Sequence, residues 1–275
     1  MSVAVNNGSS MRPAPSSPHA STPGFTLIEL LVVLAIIGLL ASTVSLVTLR
    51  GIAQGQTAAC QLNLRDWSTA FYAYAADHQG HFPHTDDFTR DDKSGWVPNP
   101  HEHCYLDELP PYMGLPAWRD YPDGRKPTGS PWQCPAAKFA EPSAYGYDTA
   151  HLGIRSYAMN SYLSYDFAYG GLGTHGGPYL NTLRCVAPAR TILMFDQCAN
   201  PTDTATPGRK REAGYHSAQD ATYISVRHRK LLGGHGANFL FLDGHVDWRD
   251  DVWIRTHSDV PKPGDWEWLP YDYSH

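Results

Sequence analysis

One segment constrains this chain more than any other. Phe25–Leu49 is apolar almost throughout, and its only formal charge is Glu29. Wound as a helix at ~1.5 Å per residue it reaches about 37 Å, enough to cross a ~30 Å hydrocarbon core. Sixteen of its residues are Leu, Ile, Val or Phe. At roughly −0.3 to −0.6 kcal/mol each, they favour insertion by about 5–10 kcal/mol, more than one carboxylate in the span costs. The segment reads as a membrane helix, and the acid within it needs a reason.

The flanks differ from the span. Residues 1–24 are rich in Ser, Pro and Ala without periodicity and read as an unstructured tail. They lack the cationic start, apolar centre and small-residue exit of a secretory signal, in that order. Beyond the span, Cys60, Leu64, Trp67, Phe71 and Tyr74 recur at i, i+4, i+7, i+11 and i+14, one stripe of a helix. Asp77-His78-Gln79-Gly80 offers a stop, with Gly80 at the C′ position and Pro83 beyond it. The pattern predicts one helix of about fifty residues, its first half (25–50) in lipid and its second half (51–80) amphipathic and packed on a domain. Gly51 and Gly55 mark a weak point at the junction.

Residues 81–275 change character, with frequent Pro, Gly, Tyr, Trp and His and short elements. Thr191–Phe195 ("TILMF") reads as a buried strand, and Asn238–Trp248 ("NFLFLDGHVDW") as a β-hairpin. Asp243-Gly244 suits the two positive-φ positions of a type I′ turn. Phe239, Phe241, His245 and Asp247 alternate with Leu240, Leu242, Val246 and Trp248 across the two faces. Long irregular stretches intervene near 84–130, 164–184 and 199–220. The expected class is α+β: a long N-terminal helix packed on a small antiparallel β-sheet with large loops.

Charge and cysteine content exclude several functions. The net charge is −6 and no basic block follows the span, which argues against a phosphate-tracking nucleic-acid surface. Arg209–Arg211 and Arg227–Lys230 are the basic clusters, both read as solvated loops. Cys60, Cys104, Cys134, Cys185 and Cys198 show no CxxC spacing, so a zinc ribbon or thioredoxin-like site is not indicated. Outside the cytoplasm they allow up to two disulfides with one thiol left over, and the spacing does not give the pairing.

Gly24-Phe25-Thr26-Leu27-Ile28-Glu29 followed by the apolar run resembles the processing site of type IV pilins and type II secretion pseudopilins. The resemblance implies a leader, 1–24, cleaved between Gly24 and Phe25 by a prepilin peptidase that also N-methylates Phe25. It implies a polymerisation segment at 25–50 and a globular pilin-like domain at 81–275. Its partners would be other pilin or pseudopilin subunits and an inner-membrane assembly platform, with the C-terminal domain periplasmic or at the cell surface. It also gives Glu29 a task. In a stack of subunits the carboxylate of one copy meets the new amine of another, a register mark because both charges are costly unless paired. Cys134-Pro135, Ser156–Asn160, Ala189–Asp196 and Gly233–Val246 further resemble prepilin-like proteins whose C-terminal signature is His, nine residues, Asp-Gly. Here His235 and His228 both miss that spacing relative to Asp243.

Sites of chemistry are sparse. His235, Asp243, His245 and Asp196 are weak candidates for a structural Ca2+ or other divalent ion, although calcium prefers several oxygen ligands and Asp243 with Gly244 is already explained by a turn. No cofactor is expected otherwise. His101-Glu102-His103-Cys104 reads as a surface loop, and Tyr169–Pro178 as a flexible turn without the Gly-Lys-Ser/Thr of a phosphate loop. No Gly-x-Ser-x-Gly or His-Glu-x-x-His occurs. Tyr145, Tyr147, Tyr157, Tyr162, Tyr165 and Tyr169 read as filling the rim of a small core. The favoured reading is a non-enzymatic structural subunit. An anchored module binding polysaccharide or protein is the alternative, and an anchored hydrolase the weaker one.

Overall fold

The structure is a computed structural model that describes residues 24–83, 85, 88–91, 95–98, 104–145, 148–160, 163, 181, 185–202, 217–218, 223–230 and 234–257. The chain divides into two compact units, Met1–Val47 and Thr48–His275. The predicted helix is present as α1, Leu27–Asp77. In the first unit its apolar side chains are exposed, from Leu27 at 81% to Val44 at 63%. This is the helix long and apolar enough to cross a membrane.

In the second unit α1 is amphipathic as its stripe predicts. Cys60, Leu64, Trp67, Phe71 and Tyr74 are all buried. Trp67 stands edge-on to Tyr105 and Trp132, with ring centroids 5.8 and 5.2 Å away, and its indole N–H donates to Pro131 O at 3.0 Å. The large apolar rings are thus stacked on the helix without leaving a polar edge unpaired. The stop comes one residue earlier than the Gly80 expectation. Gln79 takes the left-handed conformation at C′ (φ 57°), and the Gly80 N–H, now at C″, donates to Ala75 O at 2.8 Å. That 6→1 bond satisfies a terminal carbonyl of the helix.

Two short strands, β1 (Phe88–Asp91) and β2 (Gly95–Pro98), pair antiparallel. Short helices α2 (Tyr105–Glu108) and α3 (Thr149–Leu152) lie in the long connection that follows. The main sheet contains β3 (Tyr157–Asn160), β4 (Ile192–Asp196), β5 (Ser217–Ala218), β6 (His228–Arg229), β7 (His235–Phe241) and β8 (Val246–Asp250). Its path is β5-β3-β4-β7-β6, with β8 also on β7. All pairings are antiparallel except the two-residue β3–β5 contact. β8 occupies one edge of β7, so β4 and β6 share the other.

The faces alternate as the residues predict. Leu240, Leu242, Tyr157 and Met159 join the helix-side core, while Ala158, Phe239 and Phe241 join a second core on the opposite face. A register shift between Ile192 and Met194 turns both Leu193 and Met194 toward the helix. A final helix, α4 (Asp251–Thr256), covers the second core with Ile254 and Trp253, and the Asp250 carboxylate caps it by accepting from Trp253 N–H at 2.7 Å.

The hairpin turn departs from the type I′ expectation. Gly244 is at φ 89°, but Asp243 is not in the positive-φ region, and the Gly244 N–H donates to Phe241 O while Phe241 N–H donates to His245 O. This is a three-residue loop, a type I turn closed by a left-handed glycine.

Candidate functional site

Two places carry structure beyond packing. The first is the start of α1. Gly24, Phe25 and Thr26 precede the helix, and Gly24 and Phe25 are exposed. The Thr26 N–H donates to Glu29 Oε2 at 2.8 Å, the Thr26 hydroxyl donates to the same oxygen at 2.7 Å, and the Glu29 N–H donates to Thr26 Oγ1 at 3.3 Å. This reciprocal arrangement is a capping box, Thr at the N-cap and Glu three residues on. Thr-x-x-Glu was readable in the sequence, but reading Glu29 through a neighbouring subunit concealed this local task. Farther along, the Ser42 and Thr43 hydroxyls donate to Leu39 O and Leu40 O at 2.8 and 2.9 Å. These two hydroxyls are thereby satisfied within the helix, as a lipid environment demands.

The second place is a buried polar cluster between α1 and the sheet. Cys60 and Cys134 form a disulfide with Cα atoms 5.1 Å apart, and Cys104, Cys185 and Cys198 stand outside it. Against the disulfide lies His228, whose Nε2 is 3.4 Å from Cys134 Sγ and 3.1 Å from Asp196 Oδ2. His228 Nδ1 is 3.2 Å from Thr57 Oγ1. Asp196 Oδ2 accepts from the Asn238 backbone and side-chain amides at 2.9 and 3.1 Å, and Arg227 Nη2 lies 3.6 Å from Oδ1. Burial alone would push the Asp196 carboxyl up; His228, Arg227 and the Asn238 N–H outweigh it and hold the group below the usual carboxylate value. Tyr157, whose hydroxyl accepts from Asn63 Nδ2 at 3.0 Å, is pushed well up by burial, with the Asp196 charge adding to it. Cys60, Cys134, Asp196 and His228 are, among the described residues, the group of metal-capable side chains, with donor atoms all within 4.8 Å of one another.

This arrangement redistributes the residues singled out from the sequence. Asp243 and His245 meet in the hairpin turn, Oδ1 to Nδ1 at 2.5 Å, and His235 Nδ1 faces Val226 O. Asp243 N–H donates to Pro188 O and Leu242 N–H to Thr191 O, which places the turn beside the start of β4. Asp196 ends that strand, about 16 Å away at ~3.3 Å per residue, so Asp196 cannot share an ion with Asp243 and His245. The Arg227–Lys230 cluster is not a solvated loop throughout: the Arg227 and His228 side chains are 10% and 1% exposed. Only Arg229 and Lys230 face outward, Lys230 over the Trp248 ring at 4.3 Å. Cys104 is buried, and residues 101–103, 169–178 and 209–211 lie outside the described residues. Tyr145 and Tyr157 fill core as expected, Tyr145 donating to Ala199 O at 2.7 Å; Tyr147, Tyr162, Tyr165 and Tyr169 lie outside the described residues.

Residues 22–45 match a family described as the prokaryotic N-terminal methylation motif. No curated protein and no solved structure matches the chain. The motif and the apolar helix together support a prepilin-type precursor with a single anchoring helix.

Proposed function

We propose that this protein is a pilin-like structural subunit rather than an enzyme, cut between Gly24 and Phe25, methylated on the new Phe25 amine, and polymerised through α1 into a type IV pilus or a type II secretion pseudopilus. The observation that carries the reading is the coincidence of the methylation motif at 22–45 with a helix whose apolar side chains stay exposed from Leu27 to Val44. A continuous apolar surface of that length needs lipid or like helices around it. The Gly24–Phe25 bond lies outside the helix and is exposed, which suits a peptidase.

The proposed assembly step uses Glu29. In the single chain its carboxylate holds Thr26. Packed among neighbouring helices, it meets the Phe25 amine of another copy, still cationic after methylation. Two charges that are costly apart in low dielectric become tolerable together and fix the register. Prepilin peptidase, sibling subunits and an inner-membrane platform are the partners this requires, with the domain beyond the membrane on the periplasmic or surface side. The test is the N-terminus and mass of the membrane-extracted protein. The expected first residue is N-methylated phenylalanine, Phe25; a chain that begins at Met1 overturns the reading.

A further inference from the structure

We propose that Cys60, Cys134, Asp196 and His228 form a binding site for a zinc-like divalent cation in the reduced chain, so that disulfide and metal are alternative closures of one contact. Tetrahedral zinc bonds of ~2.0–2.3 Å place its ligand atoms roughly 3.3–3.8 Å apart. The four donor atoms already lie within 4.8 Å of one another, with His228 Nε2 3.4 Å from Cys134 Sγ and 3.1 Å from Asp196 Oδ2. All four residues are buried. Two thiolates, an imidazole and a carboxylate suit zinc, whereas calcium and magnesium want oxygen throughout.

The surroundings are those of a ligand shell. Thr57 Oγ1 donates its proton to Ala53 O at 2.9 Å, so toward His228 it can only accept, and Nδ1 carries a hydrogen. Nε2, 3.1 Å from Asp196 Oδ2 and 3.4 Å from Cys134 Sγ, is the nitrogen on the ligand side, and its hydrogen gives way to the cation on binding. An outer hydrogen bond of this kind fixes the tautomer of metal-binding histidines. Asn238 orients Asp196 through two bonds to Oδ2, while Oδ1, fully buried, accepts no hydrogen bond among the described residues. Two thiolates and a carboxylate around a divalent ion leave a net charge of −1, and Arg227 at 3.6 Å from Asp196 balances it.

The exchange conserves atoms and electrons. A phosphine reductant takes the oxygen of a water molecule to become the phosphine oxide, and the S–S bond opens to two thiols that hold the two hydrogens of that water. The cation then displaces both thiol protons and the Nε2 proton of His228 to solvent.

The test uses the full chain in detergent, with Co2+ alone as the probe, because thiolate-bound tetrahedral cobalt has a characteristic visible and charge-transfer spectrum. After phosphine reduction under argon the chain should bind a single Co2+ with that spectrum, and Zn2+ should displace it. The oxidised chain should show none; it retains Cys104, Cys185 and Cys198 and so controls for adventitious thiols. His228→Gln and Asp196→Asn should each weaken binding more than ~10-fold. Because either variant could misfold, the thermal midpoint of the unaltered chain is a second readout, raised by Zn2+ when reduced and unmoved when oxidised. Absence of the cobalt–thiolate band, equal binding by the oxidised chain, affinity unchanged in folded His228→Gln, or a reduced-chain midpoint insensitive to Zn2+ would each overturn the site.

Discussion

Glu29 answers to two partners at different times, Thr26 within the chain and, in the proposed filament, the amine of a neighbour. The two tasks separate by mutation. Thr26→Val removes both hydroxyl contacts of the capping box and costs about 1 kcal/mol of helix start; it should leave assembly in place. Glu29→Ala should leave the protein in the membrane fraction but abolish subunit cross-linking. Equal loss of cross-linking in both variants would make the cap the whole role of the acid. Tyr157 offers a pH test. Its hydroxyl is raised by burial, so its contribution is intact below the unfolded value of ~10 and is lost as pH climbs above it, where the unfolded chain releases its proton first. Tyr157→Phe should cost about 1 kcal/mol near neutrality, through the lost Asn63 bond, yet show a shallower alkaline decline in denaturation midpoint.

Among the elements, the β7–β8 hairpin leaves no room for an added side-chain carbon at Gly236. A Cβ at Gly236 would collide with Arg249 O and lie about 2.5 Å from the Trp248 ring. Gly236→Ala should therefore destabilise by about 2 kcal/mol or more, measured by urea denaturation of the solubilised chain. Asp250→Ala, which removes the cap of α4, should cost only about 1 kcal/mol in the same assay. Elements of this kind were largely legible in the sequence. The period of Cys60 through Tyr74 and the alternation of Phe239–Leu242 both follow from side-chain geometry alone. What escaped were one-residue details, the cap at Gln79 and the turn at Leu242–Gly244, because type I′ and bulged type I turns accept the same Asp-Gly.

For the molecule as a whole, the buried cluster was illegible for a different reason. Cys60, Cys134, Asp196 and His228 come from α1, a loop, β4 and β6, and no spacing joins residues that only the sheet register brings together. The sequence reads that strand as Thr191–Phe195, one residue short of Asp196, and groups the acid with His235, Asp243 and His245 as a weak metal candidate. The bridge between Cys60 and Cys134 closes a sequence separation of 74. In the chain-entropy treatment that is worth about 4 kcal/mol, so replacing both cysteines by Ser should lower stability by up to that amount. The same bridge has a mechanical meaning. If a filament is stretched, force entering a subunit along α1 at Cys60 can leave at Cys134 without unspooling what lies between. At ~3.5 Å per residue, roughly 260 Å of slack is withheld until the crosslink opens, so single-molecule pulling should record a shorter extension from the oxidised protein than from the reduced one.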